Sequence, residues 1–233
     1  MGLRLLVVAS IAVTAMLWVY QPGSYPVTSE TLHVEDPVSA PHFILRQKAR
    51  MVGHNIGAIR VELTVYFEAP DSWRIVQREG PQVTERIRVG DRAWKRSSGG
   101  PWQPIEPELV SAGALPFAPG FLTSDDGQDR LDLTRGPRIG EELTTRVLYV
   151  EPNMGQIMND AFDRVAAENP IPAENVQSIH ELQRDSSAII HSYFGRDSNR
   201  ILLLVIHWQG PGIDSHQSIL YDYETPVRIE APR

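Results

Sequence analysis

The strongest alternation of apolar and polar positions lies between Gly57 and Trp102, in GAIRVELTVYFEAPDSWRIVQREGPQVTERIRVGDRAWKRSSGGPW. Ile59, Val61, Leu63, Val65 and Phe67 occupy one parity, and Arg60, Glu62, Thr64, Tyr66 and Glu68 the other. Successive strand side chains point to opposite faces, so the pattern predicts a strand with one apolar and one wet side. Ala69-Pro70-Asp71 ends it, because proline lacks the N–H that a ladder needs and Asp favours turns. Further runs at 73–79, 83–89 and 92–96, the last two separated by Gly90-Asp91, predict an antiparallel meander. An earlier strand is expected over 43–52, with Phe43, Leu45, Ala49 and Met51 facing away from Arg46, Lys48 and Arg50, and with Gly53-His54-Asn55 turning the chain.

Later patterning is mixed. Residues 106–140 have no clear period; Leu109 to Leu115 is a short apolar segment that Pro116 to Gly120 breaks. Leu143 to Val150 fits a strand or a helix start. Met154, Ile157, Met158, Ala161, Phe162, Val165 and Ala166 recur at helical spacing, with Pro152 suited to the start and Asn169-Pro170 to the end. A weak strand is expected over 176–182 and clearer ones over 188–194, 201–208 and 216–223. ILLLVIHW (201–208) is nearly continuous in apolar character, which predicts burial on both faces. Pro226 to Glu230 is expected to finish the sheet as a short edge segment.

Residues 1–20 differ from the rest. After Arg4, Leu5 to Tyr20 carries no charge, and the next charged residue is Glu30. The segment is either a cleaved secretory signal or an uncleaved signal anchor. Trp18 and Tyr20 resemble an interfacial aromatic belt, and Val13-Thr14-Ala15 is a poor cleavage site because the apolar run continues beyond it. Arg4 places the N-terminus inside and the body outside. Residues 21–41, rich in Pro, Ser, Thr and Val, form a linker, and 42–233 a single domain.

Composition narrows the chemistry. The 233 residues are 42% hydrophobic and 22% charged, with a net charge of −7, which argues against a nucleic-acid footprint. There is no cysteine, so disulfides, thiolate catalysis and thiolate metal sites are excluded. None of the seven histidines lies in a short zinc spacing, and His191 and His207, in strands joined by one turn but at different distances from it, are not expected to be directly opposite. No nucleophile elbow or phosphate loop is present. Asp125, Asp126, Asp129 and Asp132 surround Gly127 without the spacing of a calcium loop. No enzyme activity, cofactor or metal is expected. Arg74, Arg78, Arg86 and Arg88 are expected together on the wet face, either as an anion patch or as a solvated face with arginines paired to Glu62, Glu79 and Glu85. Trp94 and Trp102, beside the Ser97 to Pro101 turn, are expected to cap a core.

FEAPDSWR, then ERIRVGDRAWKR and a Gly-Gly-Pro-Trp turn, resembles the first sheet half of the outer-membrane lipoprotein carrier (LolA-like) family. YDYETPVRIEAP, Tyr221 to Pro232, resembles the closing strand of its LppX/LprG-type relatives. The resemblance covers roughly residues 43–105 and 185–232. It implies an α+β fold, in which a large curved antiparallel sheet forms a half-barrel with helices on its concave face and acyl chains in the cavity. Many relatives carry an acylated cysteine, which this chain lacks.

Together these features describe a membrane-tethered extracytoplasmic protein that binds a lipid or lipid-linked ligand in an apolar cavity and carries it between membrane sites. The alternative is a membrane-anchored sensor or structural module that binds a protein partner through the charged sheet face. The expected cavity wall is Ile59, Val61, Leu63, Val65 and Phe67, extended by Trp73 and Ile75 and closed by Met154, Met158 and Phe162. Residues 1–20 are expected to stay attached. Intact-mass measurement on the membrane-extracted protein checks this, and a mature start between Ala15 and Ser29 would refute the anchor.

Overall fold

The computed structural model describes residues 37–53, 57–107, 110, 132–151, 153–156, 159, 176–177, 180–181 and 184–232. The expected N-terminal segment, the 54–55 turn, the acidic loop up to Asp129 and most of the long helix, with Met158 and Phe162, lie outside them. Among the described residues no helix is long and apolar enough to cross a membrane.

Among the described residues, eleven strands form one antiparallel sheet: β1 (His42–Gly53), β2 (Gly57–Glu68), β3 (Ser72–Glu79), β4 (Gln82–Val89), β5 (Arg92–Ser97), β6 (Gln103–Ile105), β7 (Asp132–Ile139), β8 (Glu142–Glu151), β9 (Ser187–Gly195), β10 (Ile201–Gly210) and β11 (Ile213–Asp222). Their order is β6-β5-β4-β3-β2-β1-β11-β10-β9-β8-β7. The chain therefore lays down two meanders, β1 to β6 and β7 to β11, and β1 joins them by pairing with β11 from Ile44↔Asp222 to Gly53↔Ile213. The sheet is open, with β6 and β7 at its two edges. Gly90 takes φ 61° in the β4–β5 reversal, a left-handed conformation that glycine adopts without penalty.

One face carries most of the core, and we call it the inner face. Phe43 and Leu45 of β1 lie opposite Phe67 and Val65 of β2, which lie opposite Trp73 and Ile75 of β3. Leu45 also faces Tyr221 of β11. On the far side of the seam Ile206 pairs with Ile190, and Trp208 with Ala188. All of these are buried and belong to one apolar cluster, which Val110 and Met154 also join. Phe43 is its aromatic centre: its ring lies 5.0 Å from Phe67 and 6.2 Å from each of Trp73, Tyr221 and Tyr223. Such offset and edge contacts add to the area that the rings bury.

Several expectations are corrected. Residues 176–177 and 180–181 are helical, not a strand. Gln177 Nε2 donates to Glu181 Oε1 at 3.0 Å, four residues on, and Arg184 N–H donates to the His180 carbonyl, the spacings of a helix. Leu143 to Val150 settles as strand β8. In β10, Leu203, Val205 and His207 are half-buried while Leu204, Ile206 and Trp208 are buried, so this strand is fully covered on one face only. Residues 226–232 form no strand, because β1 already occupies the edge of β11; Ile229 N–H instead donates to Glu68 Oε2 at 2.7 Å. β7 falls within 106–140, where the sequence has no clear period, and β6 is a short strand just before it.

Phe43→Ala should lower stability by about 3–5 kcal/mol, the usual loss for removing a buried ring, measurable by urea unfolding.

Candidate functional site

The inner face of β1 to β3 is the candidate site. Val61, Leu63, Val65, Phe67, Trp73 and Ile75 are all buried there, and Ile59 at the far end of β2 is half-buried. The register makes them one wall: Val65 has Leu45 on one side and Ile75 on the other, and Phe67 has Phe43 and Trp73. Met154 is buried in the same cluster from a helical turn at 154–156. Six of the ten residues expected to form the wall (Leu63, Val65, Phe67, Trp73, Ile75 and Met154) fall in one cluster, Ile59 and Val61 lie further along the same side of β2, and Met158 and Phe162 lie outside the described residues.

A polar strip crosses this apolar face at the β1–β11 seam, and the hydrophobic pattern conceals it. Gln47 sits between Leu45 and Ala49 on the inner face, and its Nε2 donates to Gln217 Oε1 at 3.0 Å. Gln47 Oε1, Ser215 Oγ on β11 and Ser192 Oγ on β9 are buried and have no hydrogen-bond partner among the described residues. Ser215 and Ser192 share the inner face, since Ser215 pairs with Met51 and Ser192 with Leu204. A buried polar atom without a partner costs about 1–3 kcal/mol. Three on one apolar surface are the pattern of a face that meets water or a ligand's polar group. The sequence signal was available: a glutamine at an apolar parity of β1.

The arginines divide between the faces. Arg74 and Arg78 lie on the outer face as expected, but Arg86 and Arg88 are opposite Ile75 and Trp73 and therefore on the inner face. The reason is loop length. Glu79 pairs with Gln82 across a two-residue turn, so odd positions of β3 share a face with even positions of β4. The turn between β4 and β5 reverses parity again, which puts Trp94 outside. There Glu85 receives Arg74 at 3.2 Å and Arg96 at 2.8 Å. Arg92 lies 5.5 Å from the Trp94 ring and Arg96 4.5 Å from Trp102, so the two tryptophans stack with arginines and do not belong to the core cluster. Arg88 pairs with Asp71 at 2.6 Å.

On the outer face of the other half, His207 and His216 are direct partners across β10 and β11. As expected, His191 is not opposite His207; it faces Val205. The His207 and His216 rings stack 4.0 Å apart, with Nε2 atoms 3.0 and 3.5 Å from one Asp214 oxygen. These three could hold a divalent cation, since their ligand atoms all lie within 4.8 Å of one another. The Gly210-Pro211-Gly212 turn was the signal for the pair, once its length sets the register. The triad is on the face opposite the wall and takes no part in it.

No family model matches the chain, and no curated protein matches it. Among solved structures it is similar to a LolA superfamily protein from Nitrosomonas europaea, with a TM-score of 0.30 and 10% identity, over 94% of each chain. It is also similar to an outer membrane lipoprotein-sorting protein domain from Vibrio parahaemolyticus, with a TM-score of 0.24 and 8% identity, over 80% of this chain and 87% of that one. Likenesses this distant decide neither fold nor function.

His191 supplies a pH handle on the outer face. Burial, and then the nearby positive charge of Arg146, hold its pKa below the ordinary histidine value. The unfolded chain then binds the proton more readily. Stability should be complete above about pH 6.5 and fall as the pH drops from there through the folded pKa. Urea unfolding of the wild type and His191→Asn between pH 7.5 and 5.5 checks this: the substitution should flatten the slope.

Proposed function

We propose that this chain is a non-catalytic binding protein that holds a lipid or lipid-linked ligand against the inner face of its open sheet. The observation that carries the reading is the combination on one surface of a continuous apolar wall and buried polar atoms without partners. A dry, fully packed core would bear the cost of Gln47 Oε1, Ser192 Oγ and Ser215 Oγ with nothing in return. A surface that takes up an amphiphile gives the acyl chain an apolar lining and leaves the polar atoms for its ester or hydroxyl groups. The uncharged N-terminal stretch supports an extracytoplasmic setting with the body tethered at a membrane, where such a ligand is found and from which it can be carried.

A second reading, docking of a protein partner, has support at a different place from the charged patch. Ile189 and Leu220, 39% and 38% exposed, lie on the outer face with half-buried Leu203 and Val205. Exposed apolar area of this kind suits a protein interface. In the charged patch, by contrast, Arg74 is engaged with Glu85 and the Tyr66 ring, and Arg88 with Asp71.

One pair of variants separates a ligand wall from ordinary core. Leu63 is buried at the middle of the wall. In a dry core Leu63→Glu would cost about 3 kcal/mol or more, because a buried unpaired charge is poorly solvated, and Leu63→Ala about 2–5 kcal/mol. On a wall that opens to a ligand, both variants should keep most of the melting temperature, and Leu63→Glu should lose uptake of a fluorescent acyl probe. A wild type that takes up no probe, with a Leu63→Glu variant that unfolds, would end the lipid reading in favour of the protein-binding one.

A further inference from the structure

The inner face changes character at β4. Ile75 lies opposite Arg86, and Arg86 lies opposite Lys95 of β5. Directly opposed residues have Cβ atoms about 5 Å apart on the same face, so the two cations stand side by side at the edge of the apolar wall. Both side chains are half-buried, and burial holds the Arg86 guanidinium below the ordinary arginine range. Like charges in this position repel each other and weaken the sheet.

No carboxylate among the described residues answers them. Asp71 is taken by Arg88, the next inner-face residue along β4. Glu85 is on the outer face and is taken by Arg74 and Arg96. Glu79 is on the inner face but four residues along β3 from Ile75, opposite Gln82, and burial alone raises its pKa, with no cation contributing. The inner-face row beyond the cations is Gln77, Thr84 and Ser97, three neutral hydrogen-bonding side chains in consecutive register. A repelling, partly desolvated cation pair beside hydroxyl and amide donors, and next to an apolar wall, lacks one component: an anion attached to an apolar body.

We propose that Arg86 and Lys95 form a headgroup subsite that takes the phosphate of an anionic lipid, whose acyl chains run from there along Ile75 and Trp73 onto the β2 wall. The planar guanidinium can donate two parallel hydrogen bonds to phosphate oxygens, and the ammonium supplies a point charge from the neighbouring strand. The Thr84 and Ser97 hydroxyls, on the same face, are placed to serve the remaining oxygens. The proposal rests on the lipid-binding reading above and adds the charge and class of the ligand.

The test compares fluorescent phosphatidylglycerol, fluorescent diacylglycerol, which has the acyl chains without a phosphate, and inorganic phosphate, each with the full chain. The wild type should bind phosphatidylglycerol about tenfold more tightly than diacylglycerol, the worth of one charge-assisted hydrogen bond. Arg86→Gln with Lys95→Gln should erase that preference by weakening phosphatidylglycerol alone, and keep or raise the melting temperature because a repulsion is removed. Arg78→Gln, on the outer face, should change nothing. Equal binding of the two lipids by the wild type, or a preference that survives the double substitution, overturns the subsite and leaves the wall intact. Binding of inorganic phosphate as tight as that of phosphatidylglycerol overturns the lipid as its source. Failure of the wild type to bind either lipid overturns the wall reading, and the subsite with it.

Discussion

The β1–β11 ladder is the constraint on which the rest of the architecture depends. Each meander alone is built from strands that are neighbours in sequence, joined by short connections except for residues 152–186 between β8 and β9. Only the ten paired positions between Ile44↔Asp222 and Gly53↔Ile213 make them one sheet. The ladder also sets which side of one meander matches which side of the other. Leu45 opposite Tyr221 and Gln47 opposite Ile219 put both apolar sides on the same face, so that Phe43 can meet Phe67, Trp73, Tyr221 and Tyr223 around one ring. A slip of one residue would send the apolar set of one half to the outer face.

The same seam brings the polar strip into the wall. Gln47 and Gln217 come from opposite ends of the chain and bond to each other in the middle of an apolar surface. Further along the face, the apolar lining gives way at Ile75 to Arg86 and Lys95. The inner surface is thus graded, apolar along β2 and β3 and cationic at β4 and β5. That gradient matches the two ends of an amphiphile, an acyl chain and an anionic head, and it is the physical basis of the functional proposal. The outer face is arranged on another principle. Its arginines Arg74, Arg92 and Arg96 are paired with Glu85 or stacked on rings, and it leaves Ile189 of β9 and Leu220 of β11 exposed.

Much of this was legible in the chain itself because a strand's period of two is a local property. Alternation from Ile59 to Phe67 was enough to set β2 and its buried parity, and Pro70, Gly90 and Pro211 marked reversals by their own backbone chemistry. Wall residues Val61 to Ile75 follow from that alternation. The strand expected over 176–182 shows where it fails: a short segment with apolar residues three apart fits two periods, and its described residues 176–177 and 180–181 are helical.

What the sequence determined by itself is therefore the strands with a clear alternation, the apolar side of β1 to β3 and the absence of cysteine chemistry. What only the tertiary structure decided is which sides share a face. The two-residue turns after β3 and β4 each invert parity, which moved Arg86 and Arg88 to the inner face and Trp94 to the outer one. The β10–β11 turn likewise placed His207 over His216. Pairing between β1 and β11 joined residues some 170 positions apart, as in Gln47 and Gln217. Side-chain alternation is written residue by residue, but register between strands is set by turn length and by long-range pairing, and neither is a property of any one residue.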